Sequence, residues 1–279
     1  MKRFLVFGAM LVVLVTTSIG QNTFVPIDEN YPFWIDKTTT TDQGLVVFSP
    51  KSDIGYQKAM FRISQWNGLF WTNLPSIEAS NVFYGVNNNL EMNTYQNKIV
   101  VAGSFYSQGE SIKGITQWDG QNWVELGGGI NTSRLIHDEF SIADMAEFNN
   151  ELFVCGDFNL AGGLPVNNFI KLTGTSWSSI PTSVGNITQL QAIGDTLYAS
   201  GKFTLIDGVP CNNIAMYSNG KWEAISNSFT NTILRLGEFN SELMAVTASG
   251  FFVYTGGSWQ RLGSALSVLN VQSVVSHAG

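Results

Sequence analysis

Hydrophobic residues in this chain fall into short runs that are separated by turns rich in glycine and asparagine. The clearest recurrence is a segment in which a large apolar residue stands five positions before a tryptophan, and leucine or isoleucine stands three positions after it. It occurs at residues 66–74, 118–126, 172–180, 217–225 and 254–262. Short apolar runs bounded by turn residues are typical of β-strands. Each copy therefore predicts a strand, a tight turn and a second strand.

The turn inside each copy carries residues that accept a positive φ angle. The second residue after the first position is glycine in four copies, and in the fourth copy it is Asn219, followed by Gly220. A further apolar residue precedes the first position by three in every copy. These residues are Ile63, Ile115, Phe169, Ile214 and Phe251.

A second element precedes the hairpin in the middle copies. Residues 100–105, 153–158 and 198–203 each run through apolar positions into Gly-x-Phe, and alternating runs at 142–148 and 190–193 lie before them. Each unit thus predicts four short strands. Four-stranded antiparallel units that repeat along a chain are typical of the blades of a β-propeller. A horseshoe solenoid needs a leucine-rich repeat, and a two-sheet sandwich does not explain five equivalent hairpins.

The repeat resembles the propeller repeats of cortical cell-polarity marker proteins and of many secreted bacterial proteins. The closest matches are the segments 118–127 and 211–215. The resemblance covers residues 43–262 and implies the fold, but it does not specify a function. Five blades are recognisable. The flanking segments 21–42 and 263–279 either pair to close the ring or form parts of a sixth blade in a truncated chain.

Composition agrees with an all-β chain, since 44% of residues are hydrophobic and only 13% are charged. The first residues predict an export signal: Lys2 and Arg3 precede an apolar run at 4–15, and small residues precede a cut after Gly20. That run is too short for a membrane span, which takes about 20 residues. We therefore expect a signal peptide at 1–20 and one secreted propeller domain at 21–279.

The net charge of the chain restricts the classes of partner that it is expected to bind. Without Lys2 and Arg3, the chain carries 12 basic and 21 acidic residues, a net charge of −9, and it has no basic run. This composition argues against binding to nucleic acid or to anionic membranes. Cys155 and Cys211 are the only cysteines, and two buried free thiols are favoured over a disulfide. The scattered cysteines and histidines predict no metal site.

Few residues outside the repeat suggest chemistry. Trp34 is either a sugar-stacking platform or part of the first blade's core, and Tyr106 opens a long inter-strand loop at 106–113. His137 lies beside Asp138 and Glu139, which suits either an acid–base group or, more simply, a solvated turn. The other seven tryptophans occupy repeat positions, where we expect them to pack in the core.

The favoured function is that of a non-enzymatic binding, adhesion or scaffold module at or outside the cell surface. Its partner is expected to be an extracellular protein or a glycan, contacted by the loops at 106–113, 128–140 and 159–166, because loops on rigid scaffolds commonly carry function. No cofactor is expected, and the protein is expected to be a monomer. The alternatives are a secreted glycan-acting hydrolase and a fragment of a larger surface protein.

Overall fold

The computed structural model describes residues 3–7, 10–16, 22–26, 37–51, 58–80, 90–107, 112–131, 140–183, 185–225 and 232–262. Every regular element in these ranges is a β-strand, so the all-β prediction is confirmed. The same ranges contain no helix long and apolar enough to cross a bilayer. The chain divides into two compact units, one formed by residues 1–88 and 92–125 and the other by 89–91 and 126–279.

The first unit begins with an antiparallel sheet in the order β1-β2-β3. Its strands are β1 (Arg3–Phe7), β2 (Met10–Thr16) and β3 (Asn22–Pro26). The predicted signal peptide at 1–20 contains β1 and β2 and stays a prediction. Cleavage of this signal peptide would remove β1 and β2, and β3 would then lose β2, the strand with which it pairs.

Two further antiparallel sheets complete the first unit. One has the order β4-β5-β6-β7, with an additional strand β8 that pairs with β6, and the other has the order β12-β11-β10-β9. The strands are β4 (Lys37–Thr41), β5 (Gly44–Lys51), β6 (Lys58–Trp66), β7 (Trp71–Asn73), β8 (Ile77–Ser80), β9 (Glu91–Tyr95), β10 (Lys98–Ser107), β11 (Ile112–Trp118) and β12 (Trp123–Glu125).

Among the described residues, the second unit contains three four-stranded antiparallel sheets, a small three-stranded sheet and a two-stranded sheet. Its strands are β13 (Ile130–Asn131), β14 (Ser141–Phe148), β15 (Glu151–Asp157), β16 (Leu160–Ala161), β17 (Leu164–Pro165), β18 (Phe169–Thr173), β19 (Ser176–Ser179), β20 (Ile187–Ile193), β21 (Thr196–Gly201), β22 (Leu205–Ile206), β23 (Val209–Pro210), β24 (Ile214–Ser218), β25 (Lys221–Ala224), β26 (Ile233–Phe239), β27 (Glu242–Thr247), β28 (Gly250–Thr255) and β29 (Ser258–Leu262). The large sheets run β14-β15-β18-β19, β20-β21-β24-β25 and β26-β27-β28-β29, and the small sheets run β13-β16-β17 and β22-β23.

The tryptophan hairpin predicted from the sequence is present in all five copies. In each copy the first apolar residue and the tryptophan five positions later face each other across the two last strands of a sheet. These pairs are Trp66↔Trp71, Trp118↔Trp123, Leu172↔Trp177, Tyr217↔Trp222 and Tyr254↔Trp259. The rings of the four aromatic pairs lie 5.1 to 5.4 Å apart in tilted contact. The five repeats thus coincide with five sheets, while the number of blades in a ring and its closure stay predictions.

The Gly-x-Phe element brings neighbouring strands of one sheet into close contact. The first strand bulges opposite the glycine, between Ile142 and Asp144 in β14 and at the equivalent place in β20. A Cβ atom on Gly156 or Gly201 would stand 2.1 Å from a backbone oxygen of the bulged strand. The phenylalanines two residues later, Phe158 and Phe203, are buried. The glycine is therefore required by close backbone approach.

The core of the second unit joins the sheets of the third and fourth repeats. Phe153 contacts both Tyr217 and Trp222 with edge-to-face geometry, at ring distances of 5.4 and 6.4 Å. Cys155 and Cys211 belong to the same apolar cluster and are both free and buried. The expectation of two buried free thiols is confirmed.

Candidate functional site

A cleft in the first unit lies among the strand-connecting turns of its two larger sheets. It has a volume of about 100 Å³ and is open on one side, so it is smaller than the range of about 300–1,000 Å³ common for enclosing small-molecule sites. The residues around it come from three turns and the strand ends beside them. They are Thr41, Gln43, Gln65, Asn97, Lys98, Ile99, Trp118, Asp119 and Gly120.

Trp118 supplies the aromatic wall of this cleft. It ends β11 and stands opposite Trp123, whose ring lies 5.3 Å away. Trp123 is buried, and its indole N–H donates to the carbonyl of Pro75 at 2.7 Å. Trp118 is only half-buried. The buried member of the pair therefore supports the other, which keeps part of its indole surface open to the cleft.

Asp119 follows Trp118 and shapes the turn. Its Oδ1 atom accepts hydrogen bonds from the backbone N–H groups of Gln121 and Asn122, both at 2.7 Å. These two bonds, from Asn122 first and then Gln121, lower the pKa of the Asp119 carboxyl, and the charge of Lys98 adds to the effect. Asp119 is therefore a fixed carboxylate at the edge of the cleft, paired electrostatically with one lysine.

The opposite wall comes from the turn between β4 and β5 and from β6. The Thr41 hydroxyl accepts hydrogen bonds from the Gln65 side-chain amide at 3.1 Å and from the backbone N–H of Gln43 at 3.2 Å. Asn97, in the left-handed region with φ of 59°, accepts from the backbone N–H of Asp42 at 3.0 Å. The bond from Asp42 to Asn97 ties the turns of the two sheets to each other, while the bonds to Thr41 hold the wall within the first sheet.

Several polar groups of the cleft stay available to a ligand. Within the part of the chain that the structure describes, no hydrogen bond involves the side chains of Gln43 or Lys98 or the indole N–H of Trp118. Gln65 and Asn97 each use only one end of the side-chain amide. The cleft thus combines an aromatic surface with amide groups, one ammonium donor and one carboxylate acceptor.

None of the site residues predicted from the sequence is among the described residues that line the cleft. Trp34, His137, Asp138 and Glu139 are outside the described residues, and they stay predictions. The backbone of Tyr106 lies in β10, where it pairs with Lys113, but its side chain is outside the description. Sequence reasoning assigned Trp118 to the core together with the other repeat tryptophans and so did not consider it as a binding residue.

The expectation that the repeat tryptophans all pack in the core holds for only part of the set. Trp66, Trp123 and Trp222 are buried, whereas Trp71, Trp118, Trp177 and Trp259 are half-buried. Position in the hairpin does not decide this, because Trp123 and Trp222 occupy the same repeat position as Trp71, Trp177 and Trp259. The Trp-Asp-Gly sequence of the second copy was the available signal, because aspartate in a turn fixes the loop that follows the indole.

The segment 159–166, predicted as a ligand-binding loop, is an ordered hairpin. It contains β16 and β17, and β16 pairs with β13 in the segment that leads into the third repeat. The backbone N–H of Gly162 also donates to the carbonyl of Gly129 at 2.9 Å. Its turn residues are exposed, with Leu164 at 66%. This surface is therefore accessible and is built from paired strands.

Comparison with proteins of known structure identifies the fold. No protein-family model and no curated protein sequence matches the chain. The β-propeller domain of the Trilobed protease from Pyrococcus furiosus is similar in structure, with a TM-score of 0.50 and 11% identity over 95% of this chain and 81% of that one. This chain has a β-propeller fold. The propeller also resembles part of the Pyrococcus horikoshii acylaminoacyl peptidase, with a TM-score of 0.55 and 11% identity over 94% of this chain and 43% of that one. It therefore spans less than half the length of the peptidase.

Proposed function

We propose that this propeller is an exported, non-catalytic binding module that holds an extracellular ligand in the cleft beside Trp118. The observation that carries the proposal is the half-buried indole of Trp118 next to polar groups that make no hydrogen bonds within the described chain. Ligand sites commonly pair an aromatic or apolar surface with a few polar groups that orient the ligand. The resemblance of the repeats to those of secreted bacterial proteins supports the extracellular setting.

The electrostatics of the cleft favour binding over hydrolysis. A glycosidase of the usual kind needs two carboxyl groups, one of which has a raised pKa so that it can donate a proton. Among the described residues that line the cleft, Asp119 is the only one with a carboxyl group, and the pKa of that group is lowered. A carboxylate held ionised by two N–H donors is a poor general acid.

Export is tested by producing the full chain in a bacterial host with its first 20 residues and analysing the external fraction by mass spectrometry. We expect a chain that starts at Gln21, because the small residue Gly20 precedes it. Retention of residues 1–20 on a chain that stays inside the cell would contradict the proposed export. A double change, Val12→Asp with Val13→Asp, interrupts the apolar run and serves as the non-exported control.

Binding is tested with the purified protein on an array of extracellular glycans and matrix proteins, with chromogenic glycosides measured in parallel. We expect saturable retention of at least one class of ligand and no turnover of the glycosides. Turnover that disappears on replacement of one carboxylate would overturn the non-catalytic proposal in favour of the hydrolase. If no arrayed ligand shows saturable binding, the proposed binding role itself is overturned.

A further inference from the structure

The cleft beside Trp118 carries almost no net charge, although the protein as a whole is acidic. The residues around it contribute one ammonium group, from Lys98, and one carboxylate, from Asp119, whose charges interact with each other. Its other polar groups are uncharged amides and a hydroxyl. A phosphorylated or otherwise polyanionic ligand needs several cationic donors. This cleft offers one, the Lys98 ammonium, and the carboxylate of Asp119 offsets its charge. The ligand is therefore expected to be neutral.

The polar groups of the cleft include both hydrogen-bond donors and hydrogen-bond acceptors. Donors are available from the Trp118 indole, the Lys98 ammonium and the amide nitrogens of Gln43 and Asn97, while the Gln65 amide oxygen and the second oxygen of Asp119 can accept. Each of these groups keeps that capacity after the hydrogen bonds formed inside the described chain. A ligand with hydroxyl groups suits such a set, because each hydroxyl both donates and accepts.

The aromatic wall limits the shape of the ligand. Trp118 is kept in place from behind by Trp123, whose own N–H is occupied by Pro75. A flat, partly apolar face with hydroxyls at its edge packs on an indole while its polar rim stays within reach of the amides. A pyranose ring has this form. The cleft volume of about 100 Å³, open on one side, suits contact with one face of a single ring of a longer chain and does not enclose the ring.

From these three features we propose that the cleft is a subsite for an uncharged saccharide, with Trp118 as the stacking platform and Gln43, Asn97 and Lys98 as donors to its hydroxyls. This inference rests on the proposed function and names its ligand class. It assigns the stacking role to Trp118, and the role of Trp34 stays a separate prediction.

The repeat itself supplies substitutions that the fold accepts. The third copy carries leucine at the position of Trp118 and the fourth and fifth copies carry tyrosine, each paired across the strands with the following tryptophan. Trp118→Leu therefore removes the aromatic platform and introduces the residue that the third copy carries at this position of the hairpin. Trp118→Tyr keeps an aromatic ring. Tyr254→Leu makes the same kind of change in the fifth copy, outside the cleft, and is the matched control.

The test is isothermal titration of the purified protein with the neutral tetrasaccharides of glucose, mannose, xylose and N-acetylglucosamine, and with tetragalacturonate as the anionic counterpart. We expect at least one neutral tetrasaccharide to bind with a Kd of about 1 mM or tighter, as suits a small, open site. Trp118→Leu is expected to weaken this binding at least about tenfold, while Trp118→Tyr and Tyr254→Leu stay within about threefold of the unchanged protein.

Three results would overturn the inference: undiminished saccharide binding by Trp118→Leu, binding of tetragalacturonate alone, or no binding of any neutral tetrasaccharide. If one of these occurs while the array still shows a saturable protein ligand, the binding role stands and only the saccharide assignment fails. Thermal unfolding checks that each variant folds. Should Trp118→Leu not fold, Gln43→Ala at an exposed turn position takes its place, and unchanged affinity in that variant overturns the inference.

Discussion

The side chain of Gln189 in β20 binds the backbone around Leu236 in β26. The N–H of Leu236 donates to Oε1 of Gln189 at 2.6 Å, and the Nε2 group of Gln189 donates to the carbonyl of Leu234 at 2.7 Å. Asp144 occupies the equivalent position one repeat earlier, just after the bulge, and its Oδ2 accepts from the N–H of Leu190 at 2.8 Å. Within the second unit, one polar side chain thus joins the first strand of each sheet to the first strand of the next.

Gln189→Glu tests this connection with almost no change of shape. Glutamate keeps the acceptor for Leu236 but places a carboxylate oxygen against the carbonyl of Leu234, so a partly buried donor is lost and two acceptors face each other. We expect the free energy of unfolding to fall by about 1–3 kcal/mol. Urea unfolding measures it, with Gln121→Glu in an exposed turn as the control. Equal losses in both variants would show that the contact does not stabilise the fold.

Asp144→Asn tests the earlier copy of the same connection. The carboxylate of Asp144 accepts from the N–H groups of Met145 and Leu190, each at 2.8 Å. Asparagine has only one side-chain oxygen, so one N–H would face the NH₂ group. We expect a loss of about 1–2 kcal/mol in urea unfolding. Asp195→Asn, at an exposed turn in the same unit, is the control and should lie within about 0.5 kcal/mol of the unchanged protein.

Gly201→Ala should destabilise the fourth-repeat sheet. The added Cβ would stand 2.1 Å from the carbonyl oxygen of Asn186. The backbone must shift to relieve this contact, and we expect a loss of about 1–3 kcal/mol, as for other overpacked sites. Gly174→Asn is the matched control, because Gly174 has φ of +62° with nothing near its missing Cβ, and the fourth copy places Asn219 there with φ of 50°. A larger loss in the control than in Gly201→Ala would contradict the steric explanation.

The exposed pair Leu69 and Phe70 should be dispensable for folding. Their side chains are 82% and 58% exposed, and their backbone N–H groups bind Asn67 in the same way as Gln121 and Asn122 bind Asp119. The double change Leu69→Gln with Phe70→Asn gives the turn the residues of the second copy. We expect unfolding free energy within about 0.5 kcal/mol of the original and weaker retention on a phenyl column.

The contrasting variant is Asn67→Ala, which removes the acceptor that both N–H groups of this turn use. We expect it to lose about 1 kcal/mol. If the double change at Leu69 and Phe70 proved as costly as Asn67→Ala, these side chains would have a role in folding that their exposure does not indicate.

Cys155 and Cys211 should be unreactive in the folded protein. Burial raises the pKa of both thiols, and the nearby Asp144 raises that of Cys155 further. Thiol reagents attack the thiolate, so at neutral pH both burial and protonation oppose the reaction. We expect no reaction with Ellman's reagent in buffer and two thiols per chain in concentrated guanidinium chloride. No thiol in denaturant would instead indicate the disulfide.

Local features of the fold were predictable because they depend on short-range spacing. The pairing of Tyr217 with Trp222 follows from a five-residue separation around Asn219 and Gly220, since a tight turn with positive φ brings those two positions face to face. The same holds in the other copies. The need for Gly201 was visible as a recurring Gly-x-Phe, although its physical cause, the bulge in the strand beside it, was not.

The candidate site was not predictable in the same way. Trp118 has the repeat spacing of a core residue, and nothing near it in sequence shows that its neighbours are Gln43, Gln65 and Asn97. These residues lie on separate turns, and the pairing of Asn97 with the backbone of Asp42 joins positions 55 residues apart. Gln189 and Asp144 were hidden for a similar reason, because their partners lie in the next sheet.

By itself the sequence determined that this protein is built from repeated antiparallel units with a tryptophan hairpin in each, because periodic burial and turn chemistry act over a few residues. Only the tertiary structure decided which repeat tryptophans stay partly exposed and which polar groups surround Trp118. That outcome depends on how turns from different sheets meet, and such contacts between distant residues leave no periodic signal in one sequence.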